Sequence, residues 1–151
     1  MTSRVRRRRD ERGSALVEVT WLSILLLVPL VYVVLAVFQV QRAAFGVNAG
    51  TRAAGRAYTL APSEAEAAAR ARAAASVALE DQGASPSSAT TSISCTPDPG
   101  NCLSPGSVIH VRTTYPVPLP LMPDAWGGNT PTIRVESTHS VPYGSFREDR
   151  P

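Results

Sequence analysis

A chain of 151 residues with a formal net charge of +3 has room for one small domain beside any membrane segment. Aromatic residues make up 6% of it and alanine supplies much of its 44% apolar share, so its core must be thin. All fifteen basic residues are arginine: residues 1–13 hold six against Asp10 and Glu11, a net +4, and the remainder holds nine against ten acids, a net −1. The basicity is a terminal tag, and a tag of this kind argues against nucleic acid as a partner.

Beyond the tag, VTWLSILLLVPLVYVVLAVF from Val19 to Phe38 contains no formal charge. At about 1.5 Å of rise per residue this stretch covers roughly 30 Å as a helix, the thickness of a bilayer's hydrocarbon core. Arginine resists translocation, so the leader holds the N-terminus in the cytoplasm and the rest lies outside. Trp21 suits an interfacial anchor, and Pro29 predicts a kink because it removes one backbone hydrogen bond.

The helical period runs on past the apolar stretch. Val40, Ala44, Val47, Ala54 and Tyr58 recur at steps of three, four or seven, while Arg52 and Arg56 share another face. One helix over 14–58 is predicted, roughly 67 Å long. Gly46, Gly50 and Ala54 lie four apart, a spacing that either admits another helix closely or merely loosens this one.

A second, alanine-rich helix falls within residues 59–83. Ser63 and Glu66 have capping-box spacing, Pro62 precedes them and Gly83 can end the helix. Nine alanines between Ala65 and Ala78 give strong helicity but little to bury, which predicts a solvated helix lying on the domain. Glu66 and Arg70 are spaced for an ion pair.

From residue 84 to 151 the pattern changes to a small, Pro-rich β region. TTSIS before Cys95, SVIHVRTTYPV from Ser107 and TIRVESTHSV from Thr132 are rich in β-branched residues. In the third, Ile133, Val135, Ser137 and Val141 alternate with Arg134 and Glu136, as a half-buried strand requires. Prolines 116, 118, 120 and 123 argue against a central strand there and for an extended connection. Trp126 suits a small core, and the closing FREDRP is expected to fray. Cys95 and Cys102, with six residues between them, lie outside the membrane by this topology, where a disulfide persists. Two cysteines without a neighbouring histidine fall short of a structural zinc site. The fold class expected is α+β: a long N-terminal transmembrane helix continuing outside the membrane, a second Ala-rich helix and a small antiparallel β region.

Glu18 is the anomaly, because a carboxylate at the mouth of an apolar run is costly unless something uses it. It lies five residues after Gly13, in RGSALVE. That string, behind a basic leader and ahead of an apolar run, resembles the processing site of type IV pilins. The resemblance implies that a prepilin peptidase cuts after Gly13, that Ser14 becomes the mature N-terminus and that Glu18 is the assembly glutamate. On physical grounds alone, such a cut removes the +4 leader and creates an α-amino group one turn before Glu18. An amine and a carboxylate so placed can pair between neighbouring copies at the lipid boundary. With the continuation RAAFGVNAGTRAAGRAY, an alanine-rich second helix and a Pro-rich β region, the chain resembles the TadE family of tight-adherence (Flp-type) pilus systems. That resemblance implies a pseudopilin, a minor pilin or assembly protein of the bacterial cytoplasmic membrane, with the C-terminal region extracytoplasmic. Its implied partners are prepilin peptidase, other pilin-like subunits, the pilus secretion machinery and membrane lipid.

Other chemistry finds little footing. No Ser-His-Asp spacing, glycine-rich phosphate loop or HExxH string occurs, so no enzyme, cofactor or metal is expected. His110 and His139 are the only histidines, each on a predicted strand. The competing readings are an ordinary secretory signal cut after Ala36 and an uncut, single-pass anchored domain that binds a partner or ligand.

Overall fold

The structure, a computed structural model, describes residues 12–120 and 131–150. The chain is α+β: helix α1 (Arg12–Thr59), helix α2 (Glu64–Glu80), a short 3-10 turn (Pro86–Ser88) and strands β1 (Thr90–Thr96), β2 (Val108–Pro118) and β3 (Thr132–Pro142). It divides into two compact units, Met1–Leu35 and Ala36–Pro151. Trp126 and Pro123 lie outside the described residues.

The first unit is helical throughout its described part, and α1 remains helical through Pro29. In the second unit the three strands form an antiparallel sheet in the order β1-β2-β3. Thr90 pairs with Thr114 and Thr96 with Val108 on one side, while Val108 pairs with Pro142 and Pro118 with Thr132 on the other. Alternation sends Cys95, Ile109, Val111, Tyr115 and Val117 into the core and leaves Thr90, Ser92, Ser94 and Thr96 of β1 exposed.

Two prolines stand in the central strand, contrary to the expectation of a bare connection. Leu119 N–H donates to Pro131 O at 3.1 Å, so residues 115 and 117 also direct their amides toward β3, and Pro116 and Pro118 face the opposite side. On that side β1 has already ended, because Thr90 pairs with Thr114. Beyond Thr114, β2 is an edge strand toward β1, where a missing N–H costs nothing.

Helix α2 also departs from expectation. It is half buried rather than solvated: Ala67, Ala71, Ala75 and Leu79 form one buried stripe at steps of four. Alanine contributes little area, but it permits close approach. A Cβ on Gly50 of α1 would meet the Ala75 carbonyl oxygen at 3.3 Å, and one on Gly46 would meet Gln82 Cβ at 3.1 Å. The next face of α1 lies on the sheet, where a Cβ on Gly55 would meet Val141 Cγ2 at 2.7 Å. The glycines therefore serve contacts within the domain. Leu79, Leu103 and Ile109, each at most 1% exposed, supply the larger buried side chains, worth about 1.5–3 kcal/mol each.

The capping box does not form. Ser63 makes no side-chain cap bond, and Glu66 pairs with Arg70 instead, at 2.9 Å. The C-terminus of α2 closes as anticipated on Gly83, with φ of 72°. Gly83 N–H bonds Glu80 O at 2.8 Å and Ala84 N–H bonds Leu79 O at 3.0 Å, the paired bonds of a Schellman motif.

Gly55→Val is expected to lower stability by about 1–3 kcal/mol through overpacking against Val141. Thermal unfolding of the detergent-solubilised chain measures it, and an unchanged midpoint would refute the close packing of α1 on the sheet.

Candidate functional site

Gly13 and Ser14 lie in the first turn of α1, with helical backbone. Glu18 stands one turn beyond Ser14, about 6 Å along the helix axis. It is exposed and makes no ion pair or hydrogen bond among the described residues. No other acid follows it until Glu64.

Around and beyond Glu18 the helix is apolar on every face. Large side chains from Leu16, 71% exposed, to Val34, 43% exposed, lie uncovered by the chain itself. The helix is long and apolar enough to cross a membrane once. Its polar groups are largely satisfied from within: Thr20 Oγ1 donates to Leu16 O at 2.8 Å and Ser23 Oγ to Val19 O at 2.7 Å. Such back-bonding lets hydroxyls sit in lipid. The Tyr32 hydroxyl is the exception, shielded yet without a partner among the described residues.

In the second unit, Cys95 and Cys102 are joined in a disulfide with Cα atoms 5.4 Å apart, as the sequence led us to expect. They belong to a junction that sequence reasoning missed. Glu64, at the start of α2, accepts the Cys102 backbone N–H at 3.2 Å and faces the Tyr58 hydroxyl at 3.5 Å. Burial, and then the negative charge of Glu64 and its hydrogen bond, raise the Tyr58 pKa above the usual phenol value.

The C-terminal tail completes the junction, so it does not fray as expected. Arg147 Nη1 donates to Thr59 O at 2.6 Å and Arg150 Nη1 to Ala61 O at 3.0 Å. The Thr59 carbonyl belongs to the end of α1, where the last turn lacks helical partners and favours cations, and Ala61 follows two residues beyond it. Arg147 also lies over the Tyr143 ring at 5.0 Å, and Asn101 donates to Asp149 at 3.2 Å. No sequence motif marks the two arginine–carbonyl contacts, since they join residues almost ninety positions apart.

The junction and the Gly13–Glu18 stretch belong to different units, so the anticipated site residues form two groups. His110, on the exposed face of β2, meets Ser140 Oγ at 2.8 Å and Thr96 Oγ1 at 3.3 Å through its two ring nitrogens. Among the described residues no group of three or more His, Cys, Asp or Glu side chains is placed to hold a metal. Comparison with protein-family models, curated proteins and solved structures finds no match to this chain.

Replacing both cysteines with serine should lower stability by about 2.5 kcal/mol, the chain-entropy value for a loop of this size. Denaturant titration measures the loss, and a variant as stable as the parent would contradict it. The raised Tyr58 pKa also has a sign. Above about pH 10, where the phenol of the unfolded chain ionises, folding must hold Tyr58 neutral, so its contribution is complete below that pH and declines above it. Tyr58→Phe should therefore flatten the loss of stability above about pH 10; parallel curves for parent and variant would contradict the assignment.

Proposed function

We propose that this protein is a TadE-like pseudopilin of a tight-adherence pilus/secretion system, cut after Gly13 and assembled through its N-terminal helix. The supporting observation is the form of α1: one helix from Arg12 to Thr59 whose apolar part is uncovered by its own chain and whose single acid, Glu18, stands one turn past Ser14 without a partner among the described residues.

Each property has a use in this reading. The arginine leader orients the precursor and is then removed. The apolar surface first meets lipid and afterwards meets the helices of neighbouring subunits, both of which bury it. The new amine on Ser14 pairs with Glu18 of a neighbour and fixes their register, because a misaligned copy leaves a carboxylate unpaired in an apolar setting. In this reading the extracytoplasmic domain is carried on the helix and takes no part in cleavage.

Gly13→Ala should leave the precursor largely uncut, visible as the heavier band on an immunoblot of membranes; normal processing would count against the site. Glu18→Ala should be processed normally yet fail to co-purify with other pilin-like subunits, since removing one member of a desolvated pair costs about 3–5 kcal/mol. Undiminished co-purification would remove Glu18 from assembly.

A further inference from the structure

Two charged surfaces of the second unit have no ion-pair partner among the described residues. Arg52 and Arg56 lie one turn apart on the exposed side of α1, and Leu60, 65% exposed, continues their row. Neither arginine takes part in an ion pair among the described residues. On α2, the exposed Glu80 and Asp81 follow Val77, which is 59% exposed. These acids close a helix whose last turn contains no basic residue. Negative charge at a helix C-terminus opposes the macrodipole, so this placement weakens the helix it ends and calls for cations from elsewhere.

The contacts between the helices fix the relative heights of the two surfaces. Gly50 lies against Ala75 and Gly46 against Gln82, so α2 runs antiparallel to α1, and Glu80 and Asp81 stand level with the stretch 44–48. Arg52 and Arg56 lie farther along α1 and pair with neither acid of the same chain among the described residues. A second copy in the same orientation, displaced along α1 by roughly 9–15 Å, brings its acids level with these arginines. The same displacement brings its Val77 within about one turn of Leu60. Charge and apolar surface match together at one register.

We infer that the Glu80–Asp81 end of α2 docks on the Arg52–Arg56 row of α1 of a second copy of this chain, setting the axial step between neighbouring subunits. The inference rests on the proposed side-by-side assembly and adds a contact outside the apolar segment. An undisplaced copy would instead set the acid pair between Arg42 and Arg52, leaving Arg56 unmatched.

The chain contains no lysine, which makes the contact directly testable. In membranes containing the full chain, R52K and R56K keep the charge and add the sole side-chain amines that a zero-length carbodiimide can join to a carboxylate. Both variants should yield a covalent dimer whose linked peptides connect position 52 or 56 of one copy to Glu80 or Asp81 of another. Adding E80Q and D81Q should abolish that product. Absence of a dimer, linkage from R42K instead, or linkage to a different protein would overturn the contact. The N-terminus is sequenced in the same preparation. A chain beginning at Ser14 that forms no such dimer refutes this contact alone, whereas a chain with its leader intact refutes the pilin reading while the cross-link still decides the contact.

Discussion

Contact between the small-residue face of α1 and the alanine face of α2 sets the geometry of the second unit. Gly55 against Val141 leaves no room for a side chain, and Gly50 against Ala75 and Gly46 against Gln82 leave only a tight fit at the points of closest approach. A domain poor in aromatics cannot fill wide gaps, so it brings backbones together instead. The larger residues, Leu79, Leu103, Ile109, Val111 and Val117, occupy what space remains. The disulfide and the arginines of the tail then hold the ends of elements that a thin core would leave loose.

With those faces of α1 occupied, its remaining surface is committed outward. Between Val19 and Phe38 that surface is apolar; over Arg42, Arg52 and Arg56 it is cationic, without an acid between Glu18 and Glu64. Neither surface finds its complement within the described chain, and each is suited to a different setting, lipid or apolar helix in one case and acids in the other. An assembly of parallel helices supplies both at once, which is why we favour it over an isolated anchor.

Much of the fold was legible in the sequence. Apolar periodicity located α1 to within a few residues, and β-branched runs located all three strands, because these signals are local and the pleat enforces them. The charge of residues 1–13 and the position of Glu18 were equally plain. What escaped depended on distant partners. Pro116 and Pro118 seemed to bar a central strand because the sequence does not reveal that β1 stops at Thr90. Ser63 and Glu66 had the right spacing for a cap, but Arg70 claimed Glu66. The alanines of α2 read as solvated because their value lies in the glycines they approach. Arg147 and Arg150 looked like a loose tail until Thr59 and Ala61 provided carbonyls for them.

The central claim is that proteolysis supplies Glu18 with its cationic partner. Sequencing the N-terminus of the chain purified from wild-type membranes tests it most directly. The account requires a mature protein that begins at Ser14. A chain that begins at Met1, or at Val37 after an ordinary signal-peptidase cut, would contradict it.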